Sequence, residues 1–115
     1  MTMKLLTKEI EKKFSSHPIY SQQGKEMEAE VLVKFFNPYG VGTWIIIEAE
    51  YDEENQDWLM YGYCSLGYGY EMGYVSYNEL ANLKVGPFKC WSIERDMYLS
   101  KGCKVKDLIK EYDLM

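Results

Sequence analysis

Six carboxylates crowd one short stretch of the chain: Glu48, Glu50, Asp52, Glu53, Glu54 and Asp57. Glu48 and Glu50 are two residues apart, so on an extended strand they share a face at about 7 Å. Carboxyl pairs at such separations serve glycoside hydrolysis. That chemistry needs one carboxyl with a selectively raised pKa, and nothing in the sequence around the pair supplies one. Two readings remain. One is a solvated acidic hairpin. The other is an acidic knob that meets a basic partner surface, such as a Lys/Arg groove that normally receives nucleic-acid phosphates.

The soft and borderline metal ligands are Cys64, Cys90, Cys103 and His17. Four is the right number for a structural zinc, but no CxxC occurs and the spacing fits no familiar finger or ribbon. A zinc site would need long-range assembly, and buried structural cysteines are the plainer reading. Nucleophilic catalysis needs a base beside the nucleophile. The single histidine, His17, precedes Pro18, and nothing local pairs it with a cysteine. Glu94, Arg95 and Asp96 sit together in "IERDMY" (93–98). In an extended segment Arg95 points away from its two acidic neighbours, free to pair with a carboxylate elsewhere, the acidic hairpin included.

The stretch "YGYCSLGYGYEMGYVSY" (61–77) holds six tyrosines and four glycines. Its glycines at 67, 69 and 73 imitate a nucleotide loop, but the spacing is GxGxxxG and the next residues, "YVSY", are β-like rather than a helix N-terminus. Turn and bulge glycines fit better. The tract therefore reads as a hairpin, with Gly67 and Gly69 turning the chain between two tyrosine-rich strands. Its tyrosines serve cross-strand packing or an exposed aromatic face, Tyr68 and Tyr70 being candidates for the latter.

The elements that position these residues emerge from periodicity. "LLTKEIEKKFSSHP" predicts a helix capped by Thr7, with Ile10 and Phe14 on one face and Pro18 beyond its end. "SQQGKE" is a polar connection. Strands are expected over 29–37, 43–51, 57–66 and 71–77. In the second, Ile45, Ile47 and Ala49 face one way and Trp44, Ile46, Glu48 and Glu50 the other. Ser76 with Glu79 marks a capping box for a short helix from about Tyr77, ended by Gly86 and Pro87. A fifth strand or extended segment is expected within 88–99. A final helix over "KVKDLIKEYDLM" carries Val105, Leu108, Ile109 and Tyr112 on one stripe. The result is one α+β domain over residues 1–115, a mostly antiparallel meander of four or five strands with helices at both ends and after strand four.

With 18 acidic and 13 basic residues, the net charge is −5. That disfavours direct binding to nucleic acid. No stretch approaches the length of a membrane span. The opening "MTMKLLTKEIEKK" turns charged before an apolar signal region develops, and the three cysteines are an odd set. A reducing, cytoplasmic setting with free thiols is expected.

Four blocks carry a resemblance: "KLLTKEI" (4–10), "VKFFNPYGVGTW" (33–44), "YGYCSLGYGYEMGYVSYNEL" (61–80) and "GPFKCWSIERDMY" (86–98). In this order they resemble a domain-of-unknown-function family of small proteins on conjugative plasmids, phages and other mobile elements. The resemblance spans about residues 3 to 98 and leaves the final helix outside. It implies a cytoplasmic protein of a mobile element and transfers no catalytic residue. Mobile elements carry many small acidic proteins that block host defences, inhibitors of CRISPR effectors among them. The expectation is a noncatalytic antagonist of a host defence nucleoprotein such as a Cas9-type effector. It would bind through Glu48, Glu50, Asp52, Glu53, Glu54 and Asp57, with Tyr68 and Tyr70. The alternative is a metal-binding accessory protein or enzyme of plasmid or phage DNA metabolism, using the cysteines or the IERD segment.

Overall fold

The first helix, α1 (Lys8–Ser16), begins where its cap dictates: the Thr7 hydroxyl accepts the Ile10 amide at 3.2 Å. It buries Ile10 and Phe14, and the Phe14 ring meets Trp58 edge-on at 5.2 Å. The computed structural model describes residues 5–114. Residues 1–4, where the charged opening begins, and Met115 at the end of the expected last helix lie outside the described residues.

The strands β1 (Val33–Phe36), β2 (Thr43–Asp52), β3 (Asp57–Ser65) and β4 (Tyr70–Ser76) come next, then the helix α2 (Tyr77–Asn82). A small ladder pairs β5 (Lys84–Val85) with β6 (Trp91–Ser92), and β7 (Glu94–Arg95) returns to the main sheet. A last short helix, α3, spans Val105–Leu108. The main sheet has the order β4-β3-β2-β1-β7 and is antiparallel throughout. The short links between β1 and β4 require that pairing.

Both faces of the sheet are covered. On one, α1 and α2 pack Phe14 and Leu80 against Trp44, Ile46, Ala49, Trp58 and Met60. On the other, α3 and the 3-10 turn Glu26–Glu28 cover Ile45, Ile47 and Tyr63 with Val105 and Ile109. Burial on two sides explains why β2 is apolar in both phases over residues 44–47.

The face assignment of β2 needs a correction past Ile46. Ile46 pairs with Gly62, yet Glu48 pairs with Tyr61, so Ile47 is an extra residue in the ladder. Such a bulge shifts the side-chain alternation by one. Ala49 therefore joins Trp44 and Ile46 on the helix-covered face, while Glu48 and Glu50 join Ile45 and Ile47. Gly62 is required here, because a Cβ on it would lie 1.9 Å from the Ile45 carbonyl oxygen.

Three further boundaries differ from expectation. The first strand is regular only over Val33–Phe36. Upstream, Val31 donates its amide to Cys103 and Leu32 donates to Ile46, each at 2.8 Å, so the extended chain there has two different partners. The segment 88–99 is not one strand. Gly86 and Pro87 lead into a 3-10 turn whose Phe88 and Lys89 have φ of 61° and 54°, and the extended chain after it divides at Ile93: β6 pairs with β5, whereas β7 pairs with β1. The final helix stops after Leu108 because Ile109 is extended, and Tyr112, expected on its apolar stripe, is 85% exposed.

Candidate functional site

The acidic stretch divides by what each carboxylate touches. Asp52 closes the β2–β3 turn. Its Oδ1 accepts the amides of Glu54 and Asn55, and its Oδ2 accepts the Asn55 side chain at 2.7 Å. The Asn55 side-chain hydrogen bond, with the backbone amides behind it, holds its carboxyl below the usual range. Asp57 joins the hairpin to α2. Its Oδ1 accepts the amides of Trp58 at 2.8 Å and Asn78 at 2.9 Å, and its Oδ2 accepts the Ser76 hydroxyl. Ser76 is also the N-cap of α2, accepting the Glu79 amide at 3.2 Å.

Glu48, expected among the exposed carboxylates, is 2% exposed. Its Oε1 accepts the Tyr20 amide at 2.8 Å and its Oε2 the Gln22 amide at 2.9 Å. The bulge is the physical reason, since it turns Glu48 onto the face where the 18–24 loop lies. Gln22 completes the junction. Its side-chain nitrogen donates to the carbonyls of Glu30 and Ile47, at 2.9 and 2.7 Å, and its Oε1 accepts the Glu30 amide at 2.7 Å. Sequence reading missed Gln22 entirely. "SQQGKE" contains two adjacent glutamines, and no local signal separates the buried one from its exposed neighbour.

What remains exposed from the stretch is Glu50, Glu53 and Glu54. Glu50 and Glu53 line an open groove of about 770 Å³ together with Asp52, Asp57, Asn78 and Glu79. Its carboxylates come from β2, β3, the turn between them and α2. The ion pairs Lys34–Asp96 and Glu28 with Lys104 and Lys106 lie elsewhere. The groove is accordingly a concentration of negative charge facing solvent.

The tyrosine tract folds as a hairpin of β3 and β4, and its turn glycines, Gly67 and Gly69, have φ of 108° and 100°. Tyr68 at the tip is 86% exposed, while Tyr70 packs partly against the α3 side. Tyr61 and Tyr74 face each other across the strands with ring centroids 4.7 Å apart. The tract thus does both things: Tyr63 is core, and Tyr68 and Tyr74 are surface.

The four metal-ligand candidates are dispersed. Cys64 packs against the α1/α2 core, Cys103 is buried in the core on the other face, and Cys90 is exposed. His17 caps α1, with Nδ1 2.9 Å from the Lys13 carbonyl and Nε2 3.7 Å from Glu30. Among the described residues, no three His, Cys, Asp or Glu side chains are grouped to hold a metal ion. Burial, with Glu71 adding to it, pushes the Cys64 thiol up to about 11, away from the thiolate that nucleophilic chemistry needs.

The IERD segment is the edge strand β7 and its exit. Arg95 pairs across to Phe35, itself opposite Trp44. Trp44 is eight residues before Asp52 on β2, roughly 26 Å of strand. Arg95 therefore sits at the opposite end of the sheet from the acidic hairpin and does not pair with it. Asp96 anchors the exit, donating its amide to the Lys34 carbonyl and accepting the Tyr98 amide, each at 2.9 Å.

Fold and site together define an α+β domain whose antiparallel sheet carries an acidic groove at one end and a tyrosine-rich face beside it. Residues 5–111 match the family described as "Protein of unknown function (DUF2958)", and the chain belongs to that family. The match runs through α3, so the final helix is part of the shared domain and not outside it, as the sequence blocks suggested. Comparisons with curated proteins and with solved structures returned no match. No described helix is long and apolar enough to cross a membrane.

Proposed function

We propose that this domain is a noncatalytic binding protein whose acidic groove engages a basic surface of another protein. The observation that carries the reading is the division of labour among the carboxylates. Asp52, Asp57 and Glu48 are consumed by backbone and side-chain donors of the fold, whereas Glu50, Glu53 and Glu79 converge on the groove from separate elements. Carboxylates spaced along a groove offer a basic surface the same charge that nucleic-acid phosphates offer it, and they speed its encounter.

The finer proposal is that the chain comes from a mobile element and acts on a host defence nucleoprotein, with a Cas9-type effector as the specific candidate. Its support is the resemblance of the sequence blocks and the charge of the groove. The test uses a purified Cas9-type ribonucleoprotein cutting its DNA target. Addition of the protein is expected to slow cleavage. The triple reversal Glu50→Lys, Glu53→Lys, Glu54→Lys is expected to remove that effect while melting at the wild-type temperature. Cleavage that is insensitive to the wild-type protein rejects this partner. Inhibition undiminished in the folded triple variant rejects the groove as the binding surface.

A further inference from the structure

Beside the buried Glu48 lies a second cavity, of about 280 Å³, on the tyrosine face of the sheet. Its walls are the rings of Tyr20, Tyr61 and Tyr74, with Met72, and its carboxylates are Glu48 and Glu26. Drug-sized ligands occupy sites of roughly 300–1,000 Å³, so this one suits a small head group. The rings are fixed by the fold. Tyr61 and Tyr74 are a cross-strand pair of β3 and β4, and the Tyr61 hydroxyl reaches the Met72 sulfur at 3.7 Å. Tyr20 comes from the facing loop, its backbone amide tethered to Glu48 at 2.8 Å.

Two features distinguish this cavity from a gap in packing. First, Tyr20 and Glu26 hold φ of 76° and 51°, a left-handed conformation unfavourable to side chains of their size. Strain of this kind collects where a surface is shaped to receive something. Second, each Glu48 oxygen accepts one backbone amide, and a carboxylate offers about four acceptor positions, so there is room for a further donor. Tyr20 and Tyr74 remain 69% and 53% exposed, so the ring surfaces are accessible. Burial and then the closeness of Tyr20, Tyr61 and Glu48 raise the Tyr74 hydroxyl above its ordinary value.

We propose that Tyr20, Tyr61 and Tyr74, with the carboxylates of Glu48 and Glu26, form a site for an alkylammonium ion. Aromatic faces attract such cations through the ring quadrupole, most strongly when the cation sheds water. The carboxylates add a full negative charge where a neutral apolar guest gains nothing from it. The ion has two possible sources, a lysine side chain of a partner protein or a free quaternary amine. This site uses none of the groove residues Glu50, Glu53 or Glu79, so it stands or falls separately from the groove.

The test is a nuclear magnetic resonance titration of the full chain with three probes. These are Nα-acetyl-lysine methylamide, choline, and 3,3-dimethylbutan-1-ol, a neutral isostere of choline. Saturable shifts at Tyr20, Tyr61 and Tyr74 are expected with at least one of the two cations and not with the isostere. Preference for the lysine probe identifies a protein side chain as the source, and preference for choline a free amine. Tyr20→Leu should weaken cation binding at least tenfold, and Tyr74→Leu, on the exposed side of the edge strand, should do the same should the loop variant misfold. The Glu50/Glu53/Glu54 reversal should leave it unchanged. No saturable cation shift, or equal binding of the neutral isostere, overturns the proposal.

Discussion

Glu48 shows how one carboxylate changes role with its surroundings. Removing it strands two amides, that of Gln22 in a buried bond and that of Tyr20 in a partly buried one. Each unsatisfied buried donor costs about 1–3 kcal/mol, so Glu48→Ala should lower stability by about 2–5 kcal/mol in urea unfolding. Glu48→Gln keeps one good acceptor oxygen and should cost less. Equal stability of the alanine variant would remove Glu48 as the fastener of the 18–24 loop. The cysteines give a second residue-level prediction. Cys90 is exposed, whereas burial holds the Cys64 thiol at about 11 and raises that of Cys103. Alkylation at pH 8 followed by mass analysis should modify Cys90 first, with Cys64 and Cys103 reacting only on unfolding. Because the Cys64 value is raised on folding, its contribution is complete below the unfolded thiol value near 9 and is lost as pH rises toward about 11.

At the scale of elements, the bulge in β2 and the hairpin–α2 junction set the geometry of both candidate sites. The bulge requires Gly62, whose added methyl would strike the Ile45 carbonyl. Gly62→Ala should cost about 3 kcal/mol, the upper range for overpacking, and should disturb the β2–β3 amide resonances first. A tolerated alanine would mean the ladder can slide open there. Asp57 binds the turn to the N-terminus of α2 through Ser76 and Asn78. Asp57→Ala should destabilise by about 1–3 kcal/mol and loosen the groove wall that carries Glu79. The alternation of β2 was legible in the sequence only up to Ile46. A bulge depends on the partner strand, and the glycine that admits it lies sixteen positions further on. The final helix failed for a related reason. Val105 and Ile109 do bury as the stripe requires, but four residues of helix meet that demand and the chain then extends.

For the molecule as a whole, a radius of gyration of 13.6 Å matches the roughly 13 Å expected of one compact domain of this length. The negative charge is not spread evenly. Glu28 is matched by Lys104 and Lys106, and their hydrogen bonds lower its carboxyl to about 2. A value depressed on folding contributes stability above the unfolded value near 4.5 and loses it as pH falls toward about 2. The contribution to unfolding is small because the cluster is solvent-exposed and screened, so the check is a carboxyl titration of Glu28 itself, whose depression should shrink in high salt. The groove carboxylates, by contrast, face solvent together. Binding of any basic partner there should weaken steeply with added salt, and a salt-independent affinity would point to another surface.

Local rules in the sequence determined the caps at Thr7 and Ser76, the four central strands, the glycine turn at 67–69 and the acidic character of the 48–57 stretch. Each of these rests on neighbours within a few residues, which a single chain displays openly. Tertiary structure alone decided which carboxylates are spent inside the fold, which converge on the groove, and that Tyr20 would meet Tyr61 and Tyr74 over Glu48. Those outcomes depend on long-range pairing and on one inserted residue in the ladder. A shift of one position there exchanges the inside and outside of a strand without changing any local pattern.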